Sequence, residues 1–213
     1  MSKFYMGVDL GQSHDPTAIA IIERVGPYFH CGHLERVALG TSYPQIIAMV
    51  GGMMKHPRMG GDVELAIDAT GVGRPVCDMF AAAGIPFIGC IITGGTEEQV
   101  GGKDRRDRYR TVPKIVLISH LQSLLHAGHL KIHPSLPEAE VLVRELQDFR
   151  VNYSATGFMS FNARDGKHDD LVLALAIAVW CAKRQKSGAE SWGDFLSNWL
   201  RTNTVSADED QQR

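Results

Sequence analysis

The sequence predicts an α/β fold with a mixed central sheet, three antiparallel strands followed by parallel ones, flanked by helices. Three observations carry this. Phe4 to Ile22, FYMGVDLGQSHDPTAIAII, holds two apolar runs of strand length around a Gly/Ser/Asp/Pro cluster, the pattern of a hairpin. After a third extended run the hydrophobic period lengthens to that of a helix, and a crossover helix leads to a strand that can pair in parallel. Near the other end, LVLALAIAVWCA (171–182) is apolar on every face, which makes it a buried helix.

Taken in order, the third strand spans Tyr28 to Ala38 behind a Gly26-Pro27 turn. Tyr43, Ile46, Ile47, Val50 and Met54 then recur at helical spacing, with Ser42 as N-cap and Pro44 near the first helical position. The strand VELAID ends on Asp68, and a glycine-rich turn, Ala69 to Pro75, opens a helix through Val76, Met79, Phe80 and Ala83. Pro86 to Ile92 reads as a buried strand, 93–102 as a loop, and Pro113 to about Ala127 as a long helix that Gly128 stops. Leu130 to Ile132 is a short extended piece, Pro137 to Phe149 a further helix, and 151–162 a hairpin around Ala155-Thr156-Gly157.

Composition narrows the function. At 213 residues and 44% hydrophobic content the chain is long enough to bury a sizeable core in one domain. Its longest apolar run is twelve residues, short of the ~18 a membrane span needs. The four cysteines, Cys31, Cys77, Cys90 and Cys181, form no C-x-x-C pair, so neither a zinc knuckle nor a disulfide framework is indicated. His126 and His129 lack further ligands at metal spacing. A formal charge of -2 argues against coating nucleic acid by bulk charge and leaves room for a local basic patch. Such a patch exists between Lys103 and Lys114, where six basic residues (Lys103, Arg105, Arg106, Arg108, Arg110, Lys114) face two acidic ones, beside Tyr109. Two nucleotide-binding fingerprints fail: G-x-G-x-x-G around Gly71 has Val76 in its third place, and the P-loop pattern near 95–104 has Glu97 for glycine and Asp104 for Ser/Thr.

The acids carry the chemistry. Asp9 ends the first apolar strand, where burying a polar group without partners costs about 2–7 kcal/mol, so it calls for a cation or donors. Asp68 ends the fourth strand, and Lys167-His168-Asp169-Asp170 opens the buried helix. Each acid taken singly also reads as a turn or cap residue. The combination is the signal.

In that order, GVDLGQSHDPTAIAII, AIDATGVGRPV and KHDDLVLALAIAVW resemble the nuclease domain of the large terminase subunit of tailed bacteriophages, a member of the RNase H-like superfamily. The resemblance covers roughly Tyr5 to Lys183 and implies an RNase H-like fold over 1–186. It implies that Asp9, Asp68, Asp169 and Asp170 are the catalytic metal ligands, with Asp15 a further acid near the metals. Closely spaced carboxylates resist ionising together, and hard oxygen ligands suit Mg2+ or Mn2+. The expected activity is a two-metal endodeoxyribonuclease that cuts concatemeric phage DNA during genome packaging, in the cytoplasm of the bacterial host. Its products are a 5'-phosphate and a 3'-hydroxyl. Arg74, Lys167 and the Lys103 to Lys114 run are candidate contacts to double-stranded DNA, and His168 could orient the acids.

The family's protein carries an N-terminal packaging ATPase, whereas here the first nuclease strand begins within a few residues of Met1. A separate packaging ATPase, small terminase or portal is therefore an expected partner. A RuvC-like Holliday-junction resolvase and a non-catalytic nuclease-like docking subunit are the alternatives. An actin-like ATPase shares the GVDLG opening but needs a duplicated domain that 213 residues cannot supply. Residues 187–213 read as a short amphipathic helix around Trp192, Phe195 and Trp199 with a polar tail.

Overall fold

β1 (Lys3–Asp9), β2 (Ala18–Val25) and β3 (Tyr28–Arg36) form the antiparallel meander that the first apolar runs predict. The computed structural model describes residues 3–11, 15–71, 73–100, 108–148, 150–153, 159–162 and 169–184. The amphipathic period beginning at Tyr43 is α1 (Tyr43–Met54), whose start is held by Gln45 accepting the Ser42 backbone N–H at 3.0 Å. This helix crosses over to β4 (Val63–Asp68), which pairs parallel with β1. There follow α2 (Gly73–Ala82), β5 (Ile88–Thr93), β6 (Gln99–Val100), β7 (Tyr109–Pro113), α3 (Lys114–His126), β8 (Leu130–Ile132) and α4 (Ala139–Asp148). β9 (Arg150–Tyr153) and β10 (Met159–Asn162) make a separate hairpin, and α5 (Asp170–Arg184) is the last described element.

Among the described residues the main sheet has eight strands in the order β6-β7-β5-β4-β1-β2-β3-β8, antiparallel through β1-β2-β3 and parallel through β1-β4-β5-β7. Strand alternation divides the core in two. Met6, Val8, Ile19, Ile21, Leu65 and Ile67 face α1 and α2, while Tyr5, Ala18, Ala20, Ile22 and Ala66 face α3, α4 and α5.

Two strands went unread in the sequence. β7 lies inside the basic run, and β6 falls in the segment taken as a loop. In β7 the apolar signal is thin because Tyr109 and Thr111 point to one face while Arg110 shares the other with Val112, a pattern that charge obscures. The helix read as apolar all round is α5, buried from Asp170 to Ala182 apart from Leu173.

β1 and α5 approach unusually closely. A Cβ on Gly7 would overlap the carbonyl oxygen of Ala174 and come within 2.6 Å of the Ala178 amide nitrogen, so only glycine lets the helix rest on the strand there. Ala18 and Ala20, on the neighbouring strand and the same face, are equally slight. At the far end of the helix, Arg24 donates to the Ala182 carbonyl at 2.9 Å, a cation placed at a helix C-terminus where the dipole favours it. Among the described residues no helix is long and apolar enough to cross a membrane.

Candidate active site

Asp9 and Asp68 are the last residues of two parallel neighbours, β1 and β4, whose register pairs Val8 with Ile67. Alternation from Tyr5 and from Ala66 puts both carboxylates on the face that carries α5. That helix, seated on Gly7, delivers Asp170 in its first turn and Asp169 just before it to the same end of the sheet. Four acids from three places far apart in sequence therefore converge.

Their proximity is written in their electrostatics. Burial pushes the Asp9 carboxyl well above the usual carboxylate range, and the charges of Asp68, Asp170 and Asp169 push it further, with Lys114 opposing. Asp68 is also raised by burial, held back by hydrogen bonds from Thr70, by the Lys114 charge and by a side-chain hydrogen bond with Asp9. The Thr70 backbone N–H donates to Asp68 Oδ1 at 2.8 Å, an Asx-type contact that fixes the carboxylate at the strand end. Gly73 lets α2 begin close above it, since a Cβ there would overlap the Asp68 carbonyl oxygen.

The two outer acids are met by cations from the end of β3 and the start of α3. Lys114 Nζ lies 2.9 Å from Asp169 Oδ2. Arg36, the last residue of β3, pairs with Glu145 of α4 and stands 3.7 Å from Asp170 Oδ2. Glu145 Oε2 also accepts the Val172 N–H at 3.0 Å, so a carboxylate from α4 caps the first turn of α5, satisfying one of its orphan donors. Glu145 and Arg36 went unread as site residues because their partners lie at least 27 positions away along the chain.

Glu145 carries a pH signature. Burial pushes its carboxyl from 4.5 up to about 7, against the Val172 N–H and Arg36, which favour the charged form. Because the folded value lies above the unfolded one, the proton's contribution to stability is complete below pH 4.5 and is lost as pH rises through about 7. The shift corresponds to up to about 3 kcal/mol. Urea unfolding in EDTA should show wild type losing stability across that window relative to Glu145→Gln. Parallel pH profiles for the two proteins would remove the buried proton from the account.

The remaining candidates sit elsewhere or outside view. Asp15 is exposed and lines a cavity of about 240 Å³ with Gly11, Thr17 and the 37–43 segment. The Arg74 guanidinium lies 5.0 Å from the centre of the Tyr109 ring and that of Arg108 lies 5.1 Å from that of Phe87, with the two rings edge to face. These stacks pre-order two cations on the α2 side of the sheet. Arg110 donates to the Tyr109 carbonyl at 2.9 Å. Lys103, Arg105, Arg106, Lys167, His168 and the helix expected around 192–200 lie outside the described residues.

The donor set suits a hard divalent cation: carboxylate oxygens only, partly buried, and two of them pushed toward the neutral form, by burial above all. Among the described residues, however, no three His, Cys, Asp or Glu side chains stand at the spacing of a preformed metal cage. Asp169 is held by Lys114, and Asp170 lies beside Arg36.

An RNase H-like α/β fold is the class this strand order defines. Within that class the chain is similar to large terminase nucleases, as its motifs suggest. It is 22% identical over 175 residues to the terminase large subunit of Thermus phage G20c, covering 82% of this chain and 31% of that protein. The crystal structure of the large terminase nuclease from phage G20c superposes with a TM-score of 0.61 over 83% of this chain and 81% of that one, at 22% identity. The same nuclease has been solved with magnesium and with cobalt bound. The Thermus phage P74-26 large terminase nuclease domain matches with a TM-score of 0.57 at 20% identity, over 83% of this chain and 78% of that one. The chain thus spans about a third of the length of the curated relatives it matches. No protein-family profile matches it.

Proposed function

We propose that this chain is a metal-dependent DNA endonuclease, the nuclease of a large terminase, cutting concatemeric phage DNA during genome packaging in the host cytoplasm. The observation that carries the reading is the convergence of Asp9, Asp68, Asp169 and Asp170, from three separate elements, on one end of the sheet. Asp9 and Asp68 are the inner ligands, and Asp169 and Asp170 complete the set, with Asp15 a further candidate. When bound, two Mg2+ or Mn2+ ions would supply Lewis acidity at a phosphate oxygen and a water acidic enough to attack in line.

The rest is the protein's own contribution. Thr70 fixes Asp68, and Glu145 anchors the turn that presents Asp169 and Asp170. Arg74 and Arg108, ordered by their aromatic stacks, contact DNA phosphates together with Arg110, Lys103, Arg105, Arg106 and Lys167. A packaging ATPase, a small terminase or a portal is the assembly in which such a nuclease acts.

Purified protein incubated with supercoiled plasmid and Mn2+ should produce nicked and linear DNA, and EDTA should stop it. The ends should carry 5'-phosphates and 3'-hydroxyls, so that a ligase rejoins them directly. No cleavage by folded protein in either Mg2+ or Mn2+ would reject the reading, and a strong preference for four-way junctions would replace it with a resolvase.

A further inference from the structure

Lys114 stands where the energetics of its own helix disfavour it. It is the first residue of α3, at the positive end of the helix dipole, behind a Pro113 N-cap that offers no side-chain bond and in a first turn with no acidic residue. What holds it there is the acid cluster. Its ammonium is 2.9 Å from Asp169 Oδ2, and its charge also acts on Asp9 and Asp68. The pair is partly open to water on both sides, with side chains 19% and 21% exposed, whereas in the Arg36–Glu145 pair the arginine is 23% exposed and the acid 5%. A lysine pair in partial contact with water is exchangeable, since an ammonium on a flexible stem is a mobile point charge.

We propose that Lys114 is a tethered cation that occupies the carboxylate cluster through Asp169 and is displaced when a divalent ion binds, so that it sets the affinity of the site for metal. The inference rests on the metal-site reading above. Two effects then act in one direction: the ion must break the Lys114–Asp169 pair, and it must enter a site that already holds a positive charge. A lysine that merely positioned Asp169 would act in the other direction, because losing it would leave the ligand disordered and weaken binding. The sign of the change therefore separates the two roles.

The test is calorimetric titration of Mn2+ into the full chain, stripped of metal, as wild type, Lys114→Met, Lys114→Arg and Asp9→Asn. Lys114→Met is expected to bind Mn2+ about tenfold more tightly than wild type, the size of a partly buried ion pair. Lys114→Arg, which keeps the charge and grips a carboxylate in two places, should bind no more tightly than wild type. If Lys114→Met melts too low in EDTA to titrate, the rise in melting temperature on adding Mn2+ reads the same sign and should exceed that of wild type. Equal or weaker binding by Lys114→Met, while wild type binds and Asp9→Asn does not, overturns the proposal and leaves the metal site standing. No binding by wild type, or undiminished binding by Asp9→Asn, overturns both.

Discussion

Asp9→Asn should abolish plasmid cleavage, lowering the rate about a thousandfold or more, while the folded protein becomes no less stable in EDTA. The first half follows from position: Asp9 ends the strand that lies beside both β4 and β2, and it is the acid on which Asp68, Asp169 and Asp170 all act. Losing a central ligand removes the electrostatic stabilisation of the attacked phosphate, worth several kcal/mol in metal sites. The second half follows from charge. An amide has the carboxylate's shape and no charge, so the substitution relieves both the burial of a charge and the repulsion that push the Asp9 carboxyl upward. Thermal melting separates the effects: wild type should gain stability on adding Mg2+ by mass action, and Asp9→Asn should not. A variant that nicks plasmid at the wild-type rate would take Asp9 out of the reaction, and one that melts far below wild type in EDTA would show that Asp9 serves the fold instead.

What the sequence made legible and what it hid divide along physical lines. The meander, the crossover to β4 and the buried α5 were readable because each depends on local periodicity, and periodicity is carried by consecutive side chains. Asp9, Asp68 and the Asp169-Asp170 pair were readable because each closes or opens such an element. Lys114 was visible as one member of a charge run and as the start of a helix, not as a neighbour of the acids, and the run concealed β7. The fold gives the run different tasks: Arg108 stacks on Phe87, Arg110 turns back to its own backbone, and Lys114 enters the acid cluster. Arg36 and Glu145 had no local signature at all. A glutamate in α4 becomes a helix cap, with an arginine closing β3 as its ion partner, only when tertiary packing brings α5 against them. Gly7 read as room for something to approach the backbone, and what approaches is α5.

That contact yields the second large expectation, which compares one chemical change at two sites. Gly7→Ala should destabilise the protein by about 3 kcal/mol, because the new methyl meets backbone atoms of Ala174 and Ala178 that cannot rotate away. For a chain of this length that is a fall in melting temperature of about 6–12 °C. Gly52→Ala, on the exposed side of α1 with nothing within 4 Å of the added carbon, should raise stability by about 0.5–1 kcal/mol, as alanine does in a helix interior. The functional consequence separates the two further. Relief of the Gly7 clash requires α5 to lift from β1, and the start of α5 carries Asp170 in its first turn and Asp169 just before it. Cleavage by Gly7→Ala should therefore fall by about tenfold or more even well below its melting temperature, since misplacing catalytic groups by about 1 Å can cost a hundredfold. Gly52→Ala should cleave like wild type. Equal melting temperatures for Gly7→Ala and wild type would mean that the helix does not rest on this strand, and the geometry that gathers the four acids would have to come from elsewhere.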